Sequence, residues 1–109
     1  MTTAEVASMI DSIGVPFAYY QFDEATAKPC PFICFYYAGS DDFVADGSNY
    51  VNINRLIIEL YTDEKDFTLE QRVQTVLNEY GLVYTREEGY LSDEKMYEII
   101  FESEVIING

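Results

Sequence analysis

The segment Phe32–Ala38 (FICFYYA) is apolar at odd and even positions alike. A strand with one wet face alternates apolar and polar residues, so a run without alternation needs cover on both faces. That cover comes either from the chain itself or from a second subunit. Pro29 and Pro31 cannot donate to a ladder, which makes Asp23–Pro31 a loop and sets where the strand begins. The closing segment Lys95–Ile107 reads the opposite way. Tyr97, Ile99, Phe101, Val105 and Ile107 share one face there, and Glu98, Glu102 and Glu104 line the other.

Two helical stripes can supply a covering layer. Val6, Met9, Ile10 and Ile13 follow the i, i+3, i+4, i+7 spacing behind a Thr2 or Thr3 cap, and Gly14 and Pro16 end the run. A second helix is predicted over Thr68–Tyr80, with Thr68 and Gln71 as a capping box, Leu69, Val73, Val76, Leu77 and Tyr80 as the stripe, and Gly81 at the C-cap. Between the helices lie an aromatic strand Phe17–Phe22, the Phe32 strand, a polar turn-rich segment Gly39–Asn49 and a long strand Tyr50–Thr62. In that long strand Leu56, Ile58 and Leu60 mark one face and Arg55, Glu59 and Tyr61 the other. Leu82–Glu88 and the closing strand follow, joined by a turn through Gly89, Ser92 and Glu94. The order helix, three strands, helix, two strands predicts an α+β fold: a mostly antiparallel sheet of about five strands with both helices on one face. It argues against a doubly wound nucleotide fold. With 109 residues and 49% apolar composition, residues 1–109 form one domain able to bury a core without staples.

Charge narrows the functions. Twenty Asp plus Glu stand against 6 Lys plus Arg, and the formal net charge is −14. Such a surface has no cationic grip for phosphates, so specific nucleic-acid binding is not expected. No His is present, and neither Cys30 nor Cys34 has a base to activate it. In a strand these two cysteines lie about 13 Å apart, beyond disulfide reach, so both read as reduced, buried small hydrophobes. Adjacent acids such as Asp23/Glu24 and Glu87/Glu88 point to opposite faces of a strand and make no catalytic dyad. The Asp42, Asp46, Gly47 spacing suggests a calcium loop but fails, because Val44 and Ile53 stand where ligands belong; Asx-turns account for Asp41, Asp42 and Asp46 more simply. No enzyme activity, metal or cofactor is expected. The polar, acidic N-terminus and the lack of an apolar run of about 18 residues predict a soluble protein made in the cytoplasm, without a membrane span.

The ten tyrosines carry more. Tyrosine is a good strand former, and it is also enriched where protein surfaces meet. Phe43 and Val44, apolar in the middle of a polar loop, suggest docking. Candidate subunit-contact residues are therefore Phe43, Val44, Tyr36 and Tyr61. Glu98, Glu102, Glu104, Asp41, Asp42 and Asp46 are the candidate acidic face toward solvent or a lumen.

Gly14-Val15-Pro16 after a short helix, the Pro31-Phe32 strand, Phe43-Val44-Ala45-Asp46 with Tyr50, Ile58-Glu59-Leu60-Tyr61-Thr62 with Lys65, Glu70 opening the second helix, and Met96-Tyr97 together form a pattern across the whole chain. This pattern resembles small tail proteins of tailed bacteriophages and prophages of Gram-positive bacteria, similar to the lambda-type tail terminator and tail-completion group. The resemblance implies a structural virion protein, assembled in the host cytoplasm. Its subunits would form a ring, with a hexamer expected, that caps the tail tube and joins it to the neck. Its implied partners are further copies of itself and the phage tail-tube and neck proteins. In such a ring an acidic lumen would repel passing DNA, while the tyrosine face would meet neighbours. Three other readings stay open: a head-completion or connector protein, an acidic DNA-mimic inhibitor, and, most weakly, a small-molecule enzyme. A mimic needs its acids projecting together from one surface, whereas along the sequence they are dispersed.

Overall fold

The structure is a computed structural model that describes residues 1–22, 29–40, 43–45 and 48–108, giving only the backbone path for 43–45 and 48–51. Its elements are α1 (Thr3–Asp11), β1 (Phe17–Tyr19), β2 (Phe32–Ser40), β3 (Phe43–Ala45), β4 (Ser48–Val51), β5 (Ile53–Thr62), α2 (Phe67–Glu79), β6 (Tyr84–Leu91) and β7 (Met96–Ile106). The main sheet runs β1-β2-β5-β7-β6, and β3 and β4 form a separate hairpin. Only the short β1 lies parallel to its neighbour; the other main-sheet pairs are antiparallel. The fold is α+β, in the predicted element order.

Both helices cover the same face. Val6, Met9, Ile10 and Ile13 of the α1 region and Leu69, Val73, Val76 and Leu77 of α2 pack with Ile33 and Phe35 of β2, Leu56, Ile58 and Leu60 of β5, and Ile99, Phe101 and Val105 of β7. Register lines these rows up, with Leu60 opposite both Ile33 and Ile99, and Ile58 opposite both Phe35 and Phe101. Fully burying each such side chain contributes about 1.5–3 kcal/mol.

The ends of the helices follow from local chemistry. Thr2 and Glu5 make a capping box on α1, each accepting from the other's backbone N–H at 3.1 Å, and Gly14 at φ 91° takes the chain out. On α2 the N-cap is Asp66, whose carboxylate accepts from the Leu69 N–H at 2.9 Å, rather than the expected Thr68. Asp66 stands one residue before Phe67, so the helix begins a residue earlier and Thr68 falls inside its first turn. Gly81 at φ 73° closes α2, with Leu82 N–H donating to Leu77 O and Gly81 N–H to Asn78 O, the two bonds of a Schellman motif.

Other boundaries move as well. The aromatic strand ends at Tyr19, not Phe22, because Tyr20 adopts φ 69° and its N–H donates to Phe35 O as the chain turns. The expected long strand Tyr50–Thr62 is divided at Asn52: before it the chain pairs with β3, and after it with β2 and β7, while the Asn52 carbonyl accepts from Ile107. The polar segment around Phe43 is thus a β-hairpin rather than a loop. β6 runs past Gly89 to Leu91, which moves the turn to residues 92–95.

Candidate functional site

The face of the sheet turned away from the helices is the part of the molecule richest in unspent chemistry. Antiparallel register places Phe32, Tyr61 and Glu98 in one row, Cys34, Glu59 and Ile100 in the next, and Tyr36, Ile57 and Glu102 in the third. Arg55 and Glu104 follow, and β6 adds Thr85 and Glu87. Two strands of opposite character therefore lie on either side of β5, with β2 supplying rings and β7 supplying carboxylates.

The rings are organised. Tyr20 stacks on Tyr36 with centroids 4.8 Å apart and planes 17° from parallel, and Phe32 stacks on Tyr61 at 4.9 Å and 23°. Phe22 meets Phe32 edge-on at 5.6 Å. Tyr20 can reach over β2 because its left-handed backbone turns the chain back across the open face. Cys34 and Ile57 are only 5% and 8% exposed on this face, and the Phe22 backbone reaches the Cys34 thiol.

Polar geometry centres on Tyr61. Its hydroxyl donates to Glu98 Oε2 at 2.8 Å and lies 3.3 Å from Glu59 Oε1. Burial pushes the Glu59 carboxyl up, Glu98 adds to this, and the Tyr61 hydroxyl opposes it. The Tyr61 phenol is pushed far up by burial, by its bond to Glu98 and by the charges of Glu59 and Glu98, so it stays a neutral donor. Tyr36 is likewise raised, by burial and then by Glu59, Tyr20, Glu98 and Glu102. Burial also raises the Cys34 thiol, with Glu59 next; the Phe22 backbone opposes it. A thiol held protonated in this way is a poor nucleophile. Both cysteines are free thiols, but only Cys34 is buried as expected; Cys30 precedes β2 and is half-buried. Arg55 lies 3.9 Å from Glu102 and passes over Gly39, where a Cβ would sit 2.8 Å from its guanidinium. Glycine at φ 155° leaves room for that crossing.

Sequence-predicted residues divide unevenly over the structure. Tyr36, Tyr61, Glu98, Glu102 and Glu104 share this one face, whereas the sequence reading assigned tyrosines and glutamates to different surfaces. The register of β5 against β2 and β7 is what joins them. Phe43 and Val44 lie in β3, away from the main sheet's ladder. Asp41, Asp42, Asp46 and Gly47 lie outside the described residues, as do Asp23 and Glu24. Glu59 and Tyr20 were not singled out for this site. Glu59 faces away from the core stripe Leu56, Ile58, Leu60, so alternation gave its face but not its partner.

A groove of about 540 Å³ opens where β6 begins, lined by Arg55, Leu82–Thr85 and Glu102–Glu104. The Ser103 hydroxyl there donates to Val83 O at 2.7 Å and is already committed. Among the described residues no helix is long and apolar enough to cross a membrane.

No family model matches the chain, and no curated protein matches it.

Proposed function

We propose that this chain is a structural assembly subunit whose working surface is the open sheet face, and that it acts as a ring-forming tail protein of a tailed phage, capping the tail tube at the neck. The observation that supports this reading is the union, on a face no helix covers, of stacked rings and half-buried carboxylates around Tyr61. Aromatic side chains with polar tips suit recurrent protein contact better than they suit solvent. The tail assignment rests on the sequence resemblance described above. Copies of the chain meet through surfaces that include the Phe43–Val44 hairpin, and the acids outside those contacts face solvent or lumen.

The test is the mass in solution, by sedimentation, of the chain alone and with the tail-tube protein from the same phage. A closed oligomer, or one that closes on the tube protein, is the expected result. A strictly monomeric chain at high concentration with tube protein present overturns the reading.

The grouping of Glu59, Glu98, Glu102 and Glu104 on one face also speaks to a DNA mimic, which needs acids that project together. Here Glu59 and Glu98 are half-buried and bonded to Tyr61, and the row of acids on β7 lies across β5 from the rings of β2. That geometry favours a protein partner over a phosphate imitation. A mimic would compete with duplex DNA for a nuclease or repressor, and no such competition is expected.

A further inference from the structure

Among the described residues the open face carries five carboxylates, Glu59, Glu87, Glu98, Glu102 and Glu104, against the guanidinium of Arg55. Interfaces match such a field with the opposite sign. A second copy of this chain can supply little of it. Lys65 and Arg86 are already bound to Glu70 and Glu88, and Arg55 belongs to the face itself. Among the described residues this leaves Arg72, on the exposed side of α2, and Lys95, in the β6–β7 turn, as cationic side chains outside ion pairs. These two lie on different elements.

The local hydrogen bonding asks for a donor as well. Tyr61 has one hydroxyl proton and two carboxylates within reach, and the shorter contact goes to Glu98. Among the described residues Tyr61 is the one side-chain donor to Glu59, which leaves that carboxylate with acceptor capacity to spare. Beside it, the outer ring of the Tyr20–Tyr36 stack is Tyr20, 59% exposed, a flat surface suited to a guanidinium. The neighbouring Phe32–Tyr61 stack bounds the other side.

We propose that the open sheet face binds a basic surface of a different polypeptide, with an arginine side chain seated between Glu59 and Glu98 and against the Tyr20 ring. This rests on the reading of the chain as an assembly subunit and names the chemistry of one partner. Contact between copies then uses other surfaces, the hairpin included.

The probe is a hexa-arginine peptide, with hexa-citrulline as its uncharged counterpart, titrated into the intact chain by calorimetry and by amide chemical-shift mapping. Binding of the arginine peptide alone is expected, with shifts confined to β2, β5, β7 and residues 20–22. Glu59→Gln with Glu98→Gln, and separately Tyr20→Ala, should weaken it at least about tenfold, the scale of one lost charge or ring contact. The charge-matched control Asp11→Asn with Glu79→Gln, both exposed on the helices that cover the opposite face of the sheet, should change it less than about twofold. Equal weakening by both double variants means diffuse attraction to an acidic protein and overturns the proposal. It is also overturned if the open-face variant alters the sedimentation mass without peptide, since a second copy then occupies the face. If the chain proves monomeric with tube protein yet the site-specific loss is observed, the ring reading fails and the basic-partner site stands.

Discussion

Tyr61, Glu59 and Glu98 show how one phenol can set the character of a surface. The Glu59 carboxyl is held above its ordinary value chiefly by burial, with Glu98 second. Its folded form therefore holds a proton more tightly than the unfolded chain does. The stability this brings is complete below the unfolded value of about 4.3 and is lost as pH rises through the folded value. At pH 7 the ionised side chain is a burden, so Glu59→Gln should raise stability. The gain should be under about 1 kcal/mol, because solvent screens a side chain this open. Thermal melts of the two proteins should differ at pH 7 and converge at pH 4; an equal difference at both would mean packing, not charge. Exposed Glu88 runs the other way. Its hydrogen bond with Lys65 lowers its value, so its contribution is present above the unfolded value and is lost as pH falls through the folded one. The sequence showed which face of β5 holds Glu59, because a period of two is local. It could not show that Glu98, 39 residues on, would stand beside it, because that pairing is set by antiparallel register across a helix and another strand.

At the level of elements, α2 is fastened to the sheet by charge as well as by its apolar stripe. Glu70, 2% exposed, has Lys65 Nζ 2.6 Å from one carboxylate oxygen and Arg86 of β6 on the other. Glu88, also of β6, completes the group by pairing with both cations. Burial works against the Lys65 ammonium, and its hydrogen bonds to Glu70 and Glu88 outweigh this, so its value rises. Glu70→Ala removes the one carboxylate that both cations share from within the core. It should cost about 3 kcal/mol in urea denaturation, the scale of breaking a buried pair. A loss within about 0.5 kcal/mol would mean that Glu88 alone satisfies both cations. None of this cluster was visible in the chain order, since its members come from the β5–α2 connection, α2 and β6. The helix itself was visible, stripe and Gly81 terminus included, because those signals lie within three or four residues. Its cap lies two residues before the expected Thr68 because Asp66 and Thr68 are both competent caps, and the chain uses the carboxylate.

Across the whole molecule the fold class followed from element order and alternation, while the division of the long strand at Asn52 did not. Nothing in Tyr50–Thr62 announces that its first residues leave the main sheet to pair with β3. The charge of −14 acts at this scale too. Copies so charged repel one another over about 10 Å at 0.1 M salt, and added salt shortens that range. Assembly of copies should therefore strengthen between 50 and 500 mM sodium chloride, as read by light scattering. Docking of a basic partner should weaken over the same range. Assemblies that dissolve as salt rises would place ionic attraction, not apolar contact, between the copies.

The position of β7 in the sheet has a consequence for synthesis. It follows the other described strands in chain order, yet it lies between β5 and β6 and pairs with each along most of their length. While the ribosome has delivered only as far as β6, one edge of β5 is bare, and the row Leu56, Ile58, Leu60 lacks Ile99, Phe101 and Val105 beside it. The nascent chain cannot close its core early. Translation that pauses before Met96 leaves an unfinished sheet with two open edges and a greasy seam, a substrate for chaperones rather than a partly folded domain.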